Sequence, residues 1–142
     1  MPTDIDDNDL LAAAARQLGD VSADWATRIE VPANTERLAF ASRERLGTPR
    51  ALGVELIREG WLLHQGRSRL APTTRGNLAL LMGDWCYAAG LCHITEHGSL
   101  SDVRALAQLI AELATRPGAA EQAAADDARW VETERHLEGV HE

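Results

Sequence analysis

Apolar side chains recur at helical spacing along nearly the whole chain, and the strict two-residue alternation of a half-buried strand is absent. Breakers divide the pattern. Gly19, Pro32-Ala33-Asn34, Gly47, the Gly66 to Pro72 stretch, Gly98 and Pro117-Gly118 each interrupt it. Between them the spacing predicts helices over about residues 8–18, then from just after Ser22, then about 35–46 and 48–64. Three more follow over about residues 75–96, 102–115 and 119–137. Ser22 and Ser101 are expected N-caps, and Thr48-Pro49 reads as an N-cap followed by proline at the first helical position. The fold class expected is therefore all-α, a bundle of about six or seven helices.

The segment around 75–96 departs from ordinary amphipathic patterning. Leu78, Leu81, Met82, Trp85 and Ala89 form one apolar stripe, while Leu80, Tyr87 and Leu91 make the other faces apolar too. A helix apolar most of the way round is normally enclosed by other helices or by a partner chain. Gly83, Ala88, Ala89 and Gly90 would let a neighbour approach closely.

Composition narrows the picture. At 142 residues and 45% hydrophobic content, the chain is expected to form one domain with a real core, over residues 8–142, after an acidic, loose lead-in at 1–7. A net charge of -8 argues against a nucleic-acid backbone or an anionic membrane surface as partner. No apolar run approaches the roughly 20 residues of a membrane span, and no signal-like start is visible, so a cytoplasmic location is expected. Every basic residue is Arg, which with the abundant Ala reads as base composition rather than function. Cys86 and Cys92, six apart on one helix, fall on different sides of it, and no disulfide between them is expected.

Two segments carry a family likeness. Val54-Glu55-Leu56-Ile57-Arg58-Glu59-Gly60-Trp61-Leu62-Leu63-His64 and Gly76-Asn77-Leu78-Ala79-Leu80-Leu81-Met82-Gly83-Asp84-Trp85 resemble the front half of the trans-isoprenyl diphosphate synthases, the polyprenyl synthetase family. There a helix ending in Leu-Leu-His runs into an aspartate-rich, magnesium-binding motif, and a later helix carries Gly-Asp. The resemblance covers about residues 35–115 and more loosely the tail. It implies the N-terminal half of the isoprenoid synthase fold.

The chemistry of that family does not accompany the likeness. Hard divalent cations need oxygen ligands, and in the family magnesium ions bridge paired carboxylates to the allylic diphosphate. Here His64 is followed by Gln65-Gly66-Arg67-Ser68-Arg69, with no acid. The position that would bind isopentenyl diphosphate reads Thr35-Glu36-Arg37-Leu38-Ala39-Phe40. Arg37 and Leu38 fit, but Glu36 replaces a lysine and would repel a diphosphate. The resemblance therefore implies a short, motif-poor, non-catalytic subunit that pairs with a full-length prenyl diphosphate synthase and alters its activity or product chain length. No cofactor of its own is expected, with magnesium entering only through the catalytic partner. Arg37, Arg67, Arg69 and Arg75 are the candidates to hold a diphosphate, the last three reading equally as a basic loop for an acidic partner. Leu78, Met82, Trp85 and Tyr87 are the candidate interface anchors.

Other readings compete. One is a stand-alone helical homodimer that binds a prenyl or other lipid chain. Another is an enzyme whose metal ligands are Asp84 with Glu55 or Glu59. Asp84 by itself reads as a buried or interfacial carboxylate paired with an Arg or a backbone donor. Asp126-Asp127 reads as part of a solvated face. His93 and His97 have the four-residue spacing of two zinc ligands, but Glu96 adjoins the second histidine rather than the first, so the zincin pattern is absent. They read as surface histidines near a helix end, and no metal site is expected.

Overall fold

The computed structural model describes residues 9–114 and 123–139, except for the side chains of 36 and 123–125. The loose lead-in expected at 1–7 lies outside them. Eight helices and no strand occur among the described residues: α1 (Leu10–Gly19), α2 (Ala23–Arg28), α3 (Thr35–Leu38), α4 (Arg43–Leu46), α5 (Thr48–His64), α6 (Gly76–His97), α7 (Leu100–Ala114) and α8 (Ala123–Leu137). The all-α class is as the periodicity predicts.

Several helix ends differ from the expected ones by one or two residues. Asp9 caps α1 by accepting the Ala12 N–H, and its other oxygen accepts the Thr35 hydroxyl at 2.7 Å, tying α1 to α3. Ser22 caps α2 as expected, through the Trp25 N–H. Gly47, not Thr48, is the residue before α5, and its φ of 82° turns the chain into the helix in a conformation that favours glycine. Ser99, not Ser101, caps α7. Its hydroxyl accepts the Asp102 N–H at 3.1 Å while the Asp102 carboxylate accepts the Ser99 N–H at 3.0 Å, a reciprocal capping box.

One expected helix is two. Residues 35–46 form the single turns α3 and α4, with Ala39 to Ser42 non-helical between them. The physical cause lies in α5 and α8. The carboxylate of Glu55 accepts the N–H groups of both Phe40 and Ala41, and Glu134 accepts that of Ser42 at 2.8 Å. Donors that a continuous helix would send to its own carbonyls are taken by acids of α5 and α8 instead.

The core is built on the α5–α6 pair. Trp61, Leu56, Ile57 and Leu63 on α5 are 0–2% exposed, and full burial of a side chain of this kind contributes about 1.5–3 kcal/mol. The two helices run antiparallel, and glycines line the seam. A Cβ on Gly90 would lie 2.6 Å from the Gly53 carbonyl oxygen, and one on Gly60 would lie 2.7 Å from the Gly83 carbonyl oxygen. Gly53 and Gly60 are seven apart, as are Gly83 and Gly90, so the two glycine pairs meet two helical turns apart. The backbones approach more closely than any side chain would allow. α1 packs on α5, and α7 packs on both α6 and α8. Trp130 of α8 closes the other side against Trp61 and Phe40, at centroid separations of 5.7 and 5.4 Å.

Candidate functional site

Two features of the α5–α6 unit bear on function: a buried ion network inside it and an open apolar face outside it. The network begins with Glu55 and Glu59, one turn apart on the inner face of α5 and fully buried. Arg69, from the loop after α5, reaches both, with Nη1 2.8 Å from Glu55 and Nε 2.9 Å from Glu59. Its Nη1 also donates to the Leu38 carbonyl at 2.9 Å, and the Ser68 hydroxyl donates to Glu59. Burial works against the charge on Arg69, but the two carboxylates outweigh it and hold the guanidinium above its ordinary pKa. Every oxygen that Glu55 and Glu59 present is thereby directed at a protein donor.

That geometry corrects several sequence expectations. Asp84 does not join Glu55 or Glu59. It is exposed on the outer face of α6, 3.0 Å from His64 Nε2, so it is neither buried nor paired with an arginine. The position follows from the glycine seam, since Gly83 must face α5 and the next residue then turns away. Arg69 is committed to the buried acids and is not offered to a ligand. Arg67 is exposed, its guanidinium 5.0 Å from the Trp61 ring, and Arg75 is exposed, donating to the carbonyls of Pro72 and Thr74. Arg37 is exposed on α3. Of the four candidate arginines, Arg69 is thus taken up inside the bundle, while Arg37, Arg67 and Arg75 lie at the surface.

Sequence reasoning passed over Arg58. Its guanidinium lies 4.8 to 5.2 Å from the ring centroids of Phe40, Trp61 and Trp130 and 3.5 Å from Asp127. Burial lowers its pKa, against the pull of Asp127. It is a cation held among aromatic rings, joining α5 to α8. Of the acid pair on α8, Asp127 is exposed as expected, whereas Asp126 is 6% exposed.

The outer face of α6 is the second feature. Ala79, Met82, Gly83, Cys86, Gly90 and Ile94 are buried against the bundle. Met82, expected as an interface anchor, is 0% exposed and belongs to the core. Leu78, Trp85 and Tyr87 are half-buried, with Trp85 edge-on to Trp25 of α2 at 6.2 Å and Tyr87 edge-on to His64 at 5.1 Å. Burial raises the Tyr87 pKa, with Asp84 adding to the effect. The exposed leucines are Leu80 at 47% and Leu81 at 57%, followed along the helix by the exposed Ala88 and Cys92. The seven-residue glycine repeat in the sequence, read as the seam, would have placed Leu81 outside it. Both cysteines are free, Cys86 buried with its thiol pKa pushed up by desolvation and Cys92 exposed.

By length and composition α6 is also the one helix among the described residues long and apolar enough to cross a membrane, where the apolar runs of the sequence had suggested none. A core helix passes the same test, and one whole side of α6 is packed on α5. Comparison with models of known protein families, with curated proteins and with solved structures finds no match.

Proposed function

We propose that this protein is a non-catalytic helical subunit that docks onto a larger enzyme through the outer face of α6. The observation that carries the docking is the exposure of Leu80 and Leu81 on the most apolar helix of a chain with net charge -8. Neighbouring apolar side chains left in water along one helix, here with the exposed Ala88, are what an interaction surface presents. The absence of catalysis rests on Glu55 and Glu59: their carboxylates are enclosed, both paired with Arg69, and every oxygen already accepts from a protein donor, so they offer no open oxygen for a metal. The partner's identity rests on the sequence resemblance alone. It is a full-length prenyl diphosphate synthase, whose activity or product chain length the subunit modulates while that partner supplies the magnesium site.

The test combines mixing and mutation. The purified chain and a full-length synthase from the same genome should co-elute on sizing, and the rate or product length of chain elongation should change. Leu81→Glu should abolish both effects while leaving the helical circular dichroism unchanged, because the side chain is already in water. A chain that remains monomeric and leaves every such synthase unaffected refutes the proposal. Self-association lost in Leu81→Glu would instead assign the face to a second copy of the chain.

A further inference from the structure

The last two turns of α6 carry His93, Glu96 and His97, spaced i, i+3 and i+4 and hence on one face of the helix. One ligand atom from each lies within 4.8 Å of the other two. The imidazole rings are nearly parallel, at 24°, with centroids 6.3 Å apart. Metal–ligand bonds of about 2.0–2.2 Å place neighbouring donors of a tetrahedral site roughly 3.3–3.6 Å apart. Closing from 4.8 Å to that spacing shortens a donor–donor distance by about 1.2–1.5 Å, and Glu96 and His97 are both exposed.

His93 is held differently. It is half-buried, and its Nε2 lies 3.3 Å from Gln17 Oε1 on α1. A carboxamide oxygen only accepts, so Nε2 carries the proton and donates. The lone pair is then on Nδ1, which is out of contact with solvent and has no hydrogen-bond partner among the described residues. Metal-ligating histidines characteristically donate their other N–H to a carbonyl or carboxylate, which fixes tautomer and ring orientation. Gln17 supplies that arrangement from a second helix.

We propose that His93, Glu96 and His97 bind one divalent transition-metal ion of the zinc class, with Gln17 orienting His93 from α1. Two imidazoles and one carboxylate suit zinc, cobalt or nickel better than magnesium or calcium, which take oxygen ligands. The net charge of -8 further favours a cation. Three protein ligands leave at least one position for water or for a group from a docked partner. The sequence reading left these residues as helix-end surface histidines. It had the i, i+4 spacing but neither the ring geometry nor the unpartnered nitrogen.

The test is titration of tag-free protein with Zn²⁺ by calorimetry and with Co²⁺ by visible absorption, which reports tetrahedral coordination directly. The expected result is one ion per chain, with affinity reduced at least about tenfold in His93→Ala and in His97→Ala. Gln17→Ala should weaken binding about 10–100-fold, as loss of such an orienting partner typically does. Cys92→Ser and His136→Ala should bind as the parent does, since neither belongs to the cluster. No stoichiometric binding, or binding equal in His97→Ala and the parent, overturns the proposal. His97 is exposed, so its variant is expected to fold, with circular dichroism as the check.

Discussion

A single methyl group placed at Gly90 tests the architecture most directly. Alanine there puts its Cβ 2.6 Å from both the Gly53 carbonyl oxygen and Ile57 Cγ1, and 3.1 Å from the Ile57 nitrogen. Ordinary van der Waals contact begins at 3.4 Å, so α5 and α6 must separate by about 0.8 Å at this crossing. Two of the three obstructing atoms are backbone and cannot rotate aside. A gap of about 0.5–1 Å forfeits a quarter to a half of the dispersion well for each contact it opens, and overpacking of this kind costs typically 1–3 kcal/mol, occasionally more. Alanine's better helix propensity returns about 1 kcal/mol, which leaves a net loss of up to about 2 kcal/mol, toward the upper end because backbone atoms cannot yield. The matched substitution is Gly19→Ala at the end of α1, where the nearest atoms, on Ala26, lie 3.8 Å away and φ is not positive. It should be neutral or stabilising by up to about 1 kcal/mol. Urea unfolding followed by circular dichroism reads both, with unchanged m-values required for the comparison. The same chemical change should therefore act with opposite sign at the two sites. If Gly90→Ala is as stable as the parent, the close antiparallel approach of α5 and α6 is wrong.

Arg69→Met should cost about 3–5 kcal/mol, because it strands the carboxylates of Glu55 and Glu59 in a dry interior. The triple variant Glu55→Gln, Glu59→Gln, Arg69→Met should be less damaged than the single one, and a single variant within about 1 kcal/mol of the parent in denaturant unfolding would refute the network's role. Glu134 gives a pH dependence. Burial raises its pKa above the ordinary 4.5, opposed by the Ser42 N–H, so the folded state binds the proton more tightly than the unfolded state. Its contribution to stability is then best at low pH and declines as pH rises through 4.5 and somewhat above. Glu134→Gln should accordingly gain stability relative to the parent between about pH 4 and pH 7; a gap that moves the other way would show that the hydrogen bond outweighs burial.

The periodicity and the breakers determined the all-α class, the extents of α5 and α6 to within about a residue or two, and the placement of the two cysteines on different sides of one helix. These are local properties, set by side-chain spacing and by residues that cannot continue a helix. What the spacing could not supply was the destination of each polar group. Glu55 looks in sequence like a polar position on an amphipathic helix. In the fold it is a buried acceptor that splits the predicted 35–46 helix by taking its amide protons. Met82 and Leu81 are adjacent and equally apolar, yet one is in the core and the other faces water. Only the glycine seam, a contact between segments about 30 residues apart, decides which is which. The histidines at the end of α6 follow the same rule: their spacing was legible, but the orienting Gln17 comes from a helix 76 residues away in sequence. Local pattern fixes what each segment becomes, because it depends on neighbours along the chain. The fate of a buried charge or an exposed leucine depends on which distant backbone approaches it, and that is decided only when the helices pack.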